Sequence, residues 1–266
     1  MNHLICASAL GDHRTEANIE AARKALSGTE LQEELENLAR DLGSDLFGIS
    51  DLETAHDFIE TQGSQGVAGF PTAITIGIVL LDAVVDGLCQ HEEPSVLFTY
   101  RGLYNSVNAN LDRTALLVAK KIQEMGYKAY PIPASQTSNP TKLQGVFSHK
   151  LAAHLSGLGW IGKSCLLITP DHGPRVRLAT VLTDAPLKSG APLASRCGEC
   201  RRCVDICPAK AFTGIPFNPS EPRDARFKAH LCKEYADRRA QLFGEGLCGL
   251  CVYVCPYGTH QSTIHV

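Results

Sequence analysis

The cysteines between residues 197 and 207 have the spacing of ligands to an iron–sulfur cluster. Their order is Cys197, two residues, Cys200, two residues, Cys203, three residues, and then Cys207 followed by Pro208. Two residues between ligands let a tight loop wrap a cubic cluster, and this run is typical of bacterial ferredoxins, in which the fourth cysteine binds the other of two [4Fe–4S] clusters. The proline after the fourth cysteine stops the chain from continuing as a regular helix.

A second run ends the cysteine-rich region but lacks one ligand. Cys248, Cys251 and Cys255 precede Pro256, and Cys232 lies upstream, where we expect it to replace the missing cysteine. Crosswise binding then predicts two sets of ligands. One is Cys197, Cys200, Cys203 and Cys255, and the other is Cys207, Cys232, Cys248 and Cys251. The alternative is one or two structural zinc sites, because pairs of cysteines two residues apart also bind Zn²⁺.

The remaining cysteines of the eleven have no ligand spacing. Cys89 and Cys165 adjoin apolar segments and are predicted to be buried structural thiols, and Cys6 joins no motif. The chain begins without a secretory signal, and its most apolar run, residues 73–81, is too short to span a membrane. These features predict a cytoplasmic protein whose cysteines serve metal or redox chemistry rather than disulfides.

The charge pattern gives little reason to expect nucleic acid or an anionic membrane as a partner. The net charge is −3 over 266 residues, and 44% of the residues are hydrophobic, enough for a packed core. Acidic residues dominate the first ninety or so positions, and basic residues gather late, around Arg196, Arg201, Arg202 and positions 223–239. That basic region is either a solvated surface or a docking face for an acidic redox partner or a polyanionic substrate.

Helical and strand patterns alternate ahead of the cysteines. Thr29 and Gln32 form a capping-box pattern at the start of a helix that Gly43 ends. Apolar periodicity predicts further helices over 111–125 and 146–158. Strands are predicted over 45–50, 73–81, 127–132, 164–169 and 175–184, the last two joined by the turn at 170–173. The run at 73–81 is apolar throughout, as in a strand buried on both faces.

This alternation predicts an α/β or α+β domain that fills the first two thirds of the chain. Residues 185–195 are rich in proline, alanine, glycine and serine, which indicates a boundary. We therefore expect one domain over residues 1–188 and an iron–sulfur domain over residues 189–266.

The segment Gly-Leu-Gly-Trp-Ile-Gly-Lys at 157–163, followed by two strands and the paired cysteine runs, resembles epoxyqueuosine reductase and, more distantly, the reductive dehalogenases. The resemblance covers residues 30–258. It implies an α+β fold, with a nitroreductase-like α/β sandwich followed by a bacterial ferredoxin-like 2[4Fe–4S] module. It also implies a cobamide (cobalamin-type) cofactor in the first domain, in place of flavin, that receives electrons from the clusters.

The same resemblance implies roles for individual residues. Trp160, Gly162 and Lys163 should lie near the corrin ring, and Tyr104 falls where the family has a tyrosine near the substrate, so it could act as the proton donor. Tyr235 matches a family position near the cofactor, although a plain packing role is the alternative.

Two departures from the family pattern change the expected substrate. The family's catalytic Asp belongs to the stretch that reads here as residues 130–136, which contains no carboxylate. The sequence also stops at Val266, without the helical repeats that grip tRNA in the full-length enzyme. We therefore expect a small-molecule substrate rather than tRNA.

Other candidate motifs are weak. His149 and His154 are five residues apart, poor spacing for two metal ligands on one helix face. The glycine-rich residues 63–69 precede a strand, so they fail the dinucleotide fingerprint, and a flexible loop over a pocket is the better interpretation.

Two functions remain open. The first is a cobamide-dependent oxidoreductase that takes electrons from a donor such as ferredoxin or flavodoxin. The second is an electron-transfer protein or reductive activator that docks a partner corrinoid protein. Flavin in the same pocket is a weaker alternative to the cobamide.

Overall fold

The computed structural model describes residues 27–62 and 65–258. Its first helix, α1 (Gly28–Asp41), begins earlier than predicted. The capping box is formed by Ser27 and Glu30, with the Ser27 hydroxyl accepting from the Glu30 N–H at 3.3 Å and the Glu30 carboxylate accepting from the Ser27 N–H at 2.7 Å. The predicted start at Thr29 is therefore wrong, because Ser27 offers the same hydroxyl two residues upstream with a carboxylate in register.

A four-stranded antiparallel sheet forms the centre of the first two thirds of the chain. Its strand order is β1, β2, β6, β3, where the strands are β1 (Leu46–Asp51), β2 (Thr72–Val79), β3 (Ala129–Ile132) and β6 (Val176–Thr183). Ile74 of β2 pairs with Ile49 of β1 on one side and with Val181 of β6 on the other. The apolar run at 73–81 thus forms the buried strand that its composition predicts.

Helices cover both faces of this sheet. Ile74, Ile76 and Val181 face α1 and the long helix α5 (Pro94–Glu124) in one apolar cluster. Ala73 and Leu182 face the opposite way, toward α6 (His149–Leu155). Short elements join these layers: α2 (His56–Gln62), α3 (Gln65–Ala68), α4 (Asp82–Asp86) and 3-10 turns at Glu53–Ala55 and Gly87–Gln90. The arrangement is a mixed helix and sheet fold, as expected.

The helix α5 spans 31 residues, whereas the sequence predicts only its second half, residues 111–125. Its first half is half-buried and contacts the cysteine-rich region: Arg101 donates to both oxygens of Glu245 at 2.7 and 2.5 Å. Pro94 occupies the first turn, where proline is well tolerated. This extension places Tyr104 on a helix.

The predicted strand at 164–169 is mostly wrong. Only β5 (Leu167–Ile168) is a strand, and it pairs with β4 (Trp160–Ile161) in a separate hairpin rather than with β6. Lys163 and Ser164 form the tip of this hairpin, and Cys165 adopts a positive φ of 54° as the chain turns back. The turn at 170–173 is present, with the Thr169 and Gly173 backbones paired across it.

The cysteine-rich region is mainly irregular, with α7 (Arg202–Asp205), a 3-10 turn at Arg223–Ala225, α8 (Ala229–Phe243) and α9 (Leu250–Tyr253). Residues 184–201 contain neither helix nor strand, and the Gly190 N–H donates to the carbonyl of Ile49 on β1 at 2.8 Å. The domain boundary at residue 188 stays a prediction. Among the described residues, no helix is long and apolar enough to span a membrane.

Candidate functional site

The four cysteines of the first predicted set converge at one end of the irregular region. Cys197, Cys200, Cys203 and Cys255 line one small recess, and we call them the first thiol group. The loop closes on itself through the Cys200 N–H, which donates to the Cys197 carbonyl at 3.0 Å. Burial, and then the neighbouring sulfurs of Cys255, Cys197 and Cys200, raise the pKa of Cys203 to about 11.

The other four cysteines form the second thiol group: Cys207, Cys232, Cys248 and Cys251. Burial raises the pKa of Cys251, and the next largest causes are the sulfurs of Cys248, Cys232 and Cys207. The Cys203 sulfur contributes as well, so the two groups are neighbours. Cys232 comes from α8, and burial together with Cys207 and Cys248 raises its pKa. The fold thus brings these eight cysteines together in two neighbouring groups, and their role as cluster ligands stays a prediction.

Both groups suit a ligand that brings positive charge. Crowded, buried sulfurs resist ionisation, and bound metal compensates for the thiolate charge. Backbone N–H groups already point at some sulfurs, as at Cys207, whose Sγ accepts from the Ala211 N–H at 3.4 Å. Across residues 27–62 and 65–258, no three cysteine, histidine or acidic side chains close on the position of a single metal ion. The thiols of a cubane bind separate iron atoms, so they surround a cluster rather than a point.

The hairpin β4–β5 lies between the first thiol group and a much larger cavity. Gly162 and Lys163 line the recess of the first thiol group, and a Cβ on Gly162 would come within 3.5 Å of the Cys197 Sγ. The Lys163 ammonium donates to the Gly198 carbonyl at 2.7 Å, which fixes the cysteine loop. Ile161, one residue earlier, lines the large cavity instead.

Trp160 does not line either space. It is 1% exposed, and its ring packs edge-on against Tyr257 at 4.9 Å, with the Arg196 guanidinium 5.7 Å away. That Trp160, Gly162 and Lys163 lie near a corrin ring stays a prediction, and none of the three lines the large cavity. Lys163 holds the cysteine loop through the Gly198 carbonyl, Gly162 lies against Cys197, and Ile161 faces the cavity.

The large cavity has a volume of about 1060 Å³ and lies between the sheet domain and the cysteine-rich region. One wall contains Tyr104 of α5, Arg177 and Leu178 of β6, and the start of α6. The opposite wall is the segment 217–226 that leads into α8. Pockets of about 300–1,000 Å³ are usual for cofactors and small molecules, so this volume lies at the upper end.

Tyr104 reaches this cavity with its hydroxyl held by two partners. Arg177 donates to the phenol oxygen at 2.8 Å, and the Ser135 hydroxyl lies 2.9 Å away. The Arg177 guanidinium is also 4.0 Å from the ring centroid, and its Nε donates to Asn108 at 3.0 Å. Because Arg177 can only donate, the phenol proton remains available to Ser135 or to a ligand.

The loop that lacks the family's carboxylate brings Ser135 to Tyr104. The nearest acid along α5, Asp112, accepts from the Ala134 N–H at 2.7 Å and so holds this loop rather than facing a ligand. Three carboxylates line the cavity, Asp57, Asp224 and Glu221. Asp224 lies 3.4 Å from Arg223, and Glu221 has one buried oxygen without a hydrogen-bond partner.

His149 is fixed by two hydrogen bonds in the cavity wall. Its Nε2 lies 2.9 Å from the Pro133 carbonyl and its Nδ1 lies 2.8 Å from the Thr180 hydroxyl. Burial is the main cause that lowers its pKa from 6.5 to about 4, so the ring is neutral near pH 7. Neither nitrogen is available to a metal ion. His154 instead makes a 3.1 Å contact with the Gly159 carbonyl and an edge contact with Phe217.

Several other predicted positions lie away from the cavity. Tyr235 lies on α8, with the Arg239 guanidinium 5.7 Å from its ring, and it does not line the cavity. Cys89 is exposed, so its prediction as a buried thiol is wrong: it sits on the outer side of a 3-10 turn. Cys165 is buried as predicted, at the cavity wall. Cys6 and residues 63–64 lie outside the described residues, and the rest of the glycine-rich segment contains α3 and does not line the cavity.

Sequence reasoning did not identify the cations of the cavity. Lys150, Arg177 and Arg226 all line it, and Lys142 and Arg223 join them. The sequence did contain a signal for the position of Arg177. Val176, Leu178, Thr180 and Leu182 alternate along β6 and share one face of the strand, so Arg177 lies on the opposite face. For Arg226 the signal was only its place in the basic region at positions 223–239, because it lies in an irregular segment.

The comparisons with known proteins agree with this arrangement. Residues 196–258 match the 4Fe-4S double cluster binding domain. The epoxyqueuosine reductase of Bacillus anthracis is 34% identical over 116 residues, which are 42% of this chain and 30% of that protein. The epoxyqueuosine reductase of Lactococcus garvieae is 25% identical over 262 residues, covering 85% of this chain and 69% of that protein.

Two solved structures share the fold. A catabolic reductive dehalogenase in complex with 3-bromo-4-hydroxybenzoic acid matches with a TM-score of 0.66 and 20% identity, over 87% of this chain and 32% of that one. An epoxyqueuosine reductase with a tRNA stem loop matches with a TM-score of 0.55 and 16% identity, over 87% of this chain and 66% of that one. The matched region spans 30% of the length of the Bacillus anthracis relative and 32% of that dehalogenase. The resemblance expected from the motifs is thereby confirmed.

Proposed function

Because the chain carries a 4Fe-4S double cluster binding domain and resembles epoxyqueuosine reductases, we propose that it is a cobamide-dependent oxidoreductase that reduces a small molecule. The observation that carries the proposal is the hairpin β4–β5. Its residue Ile161 lines the large cavity, while Gly162 lines the recess of the first thiol group. Because Ile161 and Gly162 are adjacent in the chain, a redox centre on those thiols would lie close to a space large enough for a cofactor.

Each thiol group holds one [4Fe–4S] cluster in this proposal. The first thiol group is Cys197, Cys200, Cys203 and Cys255, and the second is Cys207, Cys232, Cys248 and Cys251. When bound, the two clusters supply single electrons. The proximity of Cys203 to Cys251 supports passage between them, because each of these sulfurs belongs to a different group and they lie close enough to influence one another.

The cavity residues fit a cobamide in size and in donor chemistry. Its volume of about 1060 Å³ admits a large cofactor. Both nitrogens of His149 are engaged, so this wall offers no histidine ligand to cobalt. When bound, a cobamide supplies a strongly reducing metal centre that couples single electrons to bond breaking. The chain's own residues enclose the ligand between β6 and the segment 217–226.

Tyr104 is the proposed catalytic residue, as proton donor to the reduced substrate. Its hydroxyl is at the cavity, and Arg177 donates to the oxygen that would carry negative charge after the proton leaves. Arg177 is thus a positioning residue, held by Asn108. Ser135 is exposed and can relay a proton from solvent to the phenolate through the 2.9 Å contact, giving up its own proton as it takes one from water. Trp160, Gly162, Lys163 and Tyr235 keep supporting roles on the cluster side of the site rather than contacts with the cofactor.

An external one-electron donor such as ferredoxin or flavodoxin would supply the clusters, which places the protein in the cytoplasm. Arg196, Arg201 and Arg202 are exposed around the cysteine loop of the first thiol group. Acidic redox partners are attracted by such cations at a rate that falls with salt. A small molecule is the proposed substrate, and neither nucleic acid nor a membrane is required.

The second candidate is an electron-transfer protein, or a reductive activator of a partner corrinoid protein. The observation that favours it is Ser135, an exposed hydroxyl where the family pattern has a carboxylate. Under that alternative the cavity region serves for docking and no cofactor binds tightly.

Retention of cobalt distinguishes the proposed reductase from the electron-transfer protein. The cluster-loaded protein is mixed with cobalamin under anaerobic conditions, desalted, and analysed for cobalt and iron. The reductase proposal predicts about one cobalt per chain in the wild type. Ile161→Trp, which fills the cavity wall, should lose cobalt but keep iron, whereas Ile215→Trp at an exposed site should keep both. Full iron with no cobalt in the wild type supports the carrier, and a flavin spectrum of the extracted cofactor supports the third alternative.

A further inference from the structure

Arg226 is a buried cation in the cavity wall with no ion-pair partner among the described residues. It is 5% exposed, and its Nε is buried with no hydrogen bond. Within the described residues, no carboxylate lies at ion-pair distance from it. Buried charges in proteins are almost always paired or bound to a ligand, because removing them from water is costly. An arginine held in this way is therefore arranged to meet a negative charge.

The surrounding structure fixes the position of Arg226. Its backbone N–H donates to the Arg223 carbonyl at 3.0 Å, and its own carbonyl accepts from the Thr213 N–H at 3.1 Å. Its guanidinium lies 4.6 Å from the ring centroid of Phe217, another residue of the cavity wall. Because the backbone of Arg226 is hydrogen-bonded and its guanidinium contacts the Phe217 ring, the side chain loses little entropy when a ligand binds.

Lys150 lines the same cavity and has donors to spare. Its ammonium donates to the Cys165 carbonyl at 2.5 Å, which uses one of three N–H groups. Burial is the main cause that lowers its pKa, and Arg223, Arg177 and Arg226 lower it further, so these cations are close to one another. Arg223 differs from them, because its guanidinium already donates to the carbonyls of residues 142 and 143.

The carboxylates of the cavity do not neutralise this cluster. Asp224 lies beside Arg223, and the Asp57 side chain is fully exposed. Glu221 lines the cavity, yet its buried oxygen reaches no donor. Five cations and three carboxylates line the cavity, so the excess charge is positive.

We propose that Arg226 and Lys150 form an anion subsite, which takes a carboxylate or phosphate group of the molecule that occupies the cavity. Two sources share this chemistry: an acidic substrate, and a phosphate group of a bound cofactor. Assigning the anion to a substrate rests on the proposed function, whereas the subsite itself does not.

Calorimetric titration of the anaerobic, cluster-loaded chain tests the subsite. The probes are benzoate, its neutral isostere benzamide, and inorganic phosphate. A charge-assisted hydrogen bond is stronger than a neutral one, so benzoate should bind about ten-fold or more tighter than benzamide. Phosphate should compete with benzoate. Equal binding of benzoate and benzamide, or no competition by phosphate, would overturn the proposal.

Variants locate the subsite. Arg226→Met keeps the side-chain bulk and should weaken benzoate binding by about ten-fold or more, while Arg226→Lys retains part of the affinity. Arg238→Met, on the exposed face of α8, is the matched control and should not change binding. Iron content and circular dichroism confirm that each variant is folded. Unchanged benzoate affinity in folded Arg226→Met refutes the assignment.

Repeating the titration with cobalamin present identifies the source of the anion. Loss of benzoate binding points to the cofactor's phosphate, and retention points to an acidic substrate. Both results keep the subsite. Failure of cobalamin to bind removes the proposed function but leaves the benzoate result intact, so the two proposals fail separately.

Discussion

His149 makes the structure's clearest prediction about pH. The Pro133 carbonyl can only accept, so Nε2 carries the hydrogen and the Thr180 hydroxyl donates to Nδ1. Protonation of Nδ1 would reverse the bond, so that Nδ1 donates to the Thr180 hydroxyl, and would place a buried cation near Arg177 and Lys150. Burial, and then the charges of Arg177 and Lys150, lower the pKa of His149 from 6.5 to about 4, although the bond to the Pro133 carbonyl opposes them.

The sign of the effect on stability follows from proton binding. Between pH 6.5 and pH 4 the unfolded chain binds a proton at this position and the folded chain does not, so acidification favours unfolding. The stability is present above pH 6.5 and is lost as the pH falls toward 4. From pH 7 to pH 5 the loss is about 2 kcal/mol, an upper figure because part of the ring faces the cavity.

The assay is urea unfolding of the anaerobic, cluster-loaded protein at pH 7 and pH 5. Wild type, His149→Gln and His230→Gln are compared, the last being an exposed histidine on α8. His149→Gln should be less stable at pH 7, because its hydrogen bonds change, but it should lose about 2 kcal/mol less on acidification than wild type. His230→Gln should follow wild type. A parallel loss in wild type and His149→Gln would refute the assignment of a buried, neutral ring.

Three further predictions concern the contacts between the sheet domain and the cysteine-rich region, and the proposed chemistry. Arg101→Met should destabilise the fold by about 1–3 kcal/mol in thermal unfolding, because it leaves the buried carboxylate of Glu245 without its partner, a cost reduced by the partial exposure of the arginine. Gly249→Ala should lower the melting temperature and iron content, since its φ is +76° and a Cβ would come within 2.7–2.8 Å of two side chains, whereas Gly198→Ala, at φ +46° with nothing within 4 Å, should lose far less. Tyr104→Phe should reduce turnover by about 100-fold or more without changing the iron count, and unchanged turnover would exclude it as proton donor.

The grouping of the cysteines could be predicted from the sequence because local spacing determines it. Loops with two residues between ligands bring their own thiols together, whereas the places of Cys255 and Cys232 follow only from the crosswise pattern of the paired motifs. The buried strand β2 could also be predicted from the sequence, because a continuous apolar run is typical of a strand that is buried on both faces.

The start of α5 could not be predicted from hydrophobic periodicity. Its first half contacts the cysteine-rich region through polar pairs such as Arg101 and Glu245, which leave no apolar pattern in one segment alone. The same limit applies to Arg226, whose partners Thr213 and Phe217 come from irregular segments.

The placement of the segment 157–163 shows a different limit. Its resemblance to a family indicates a site nearby, but it does not show which residues of the hairpin face which space. Only the three-dimensional structure shows that Ile161 faces the cavity and that Gly162 and Lys163 face the first thiol group.

The most direct test is the amount of iron and acid-labile sulfide per chain after anaerobic preparation. Two clusters predict about eight iron atoms with equal sulfide. Cys251→Ser should remove about half of the iron, while Cys89→Ser, at an exposed thiol outside both groups, should remove none. Two or fewer iron atoms together with stoichiometric zinc, or equal iron in the two variants, would contradict the account.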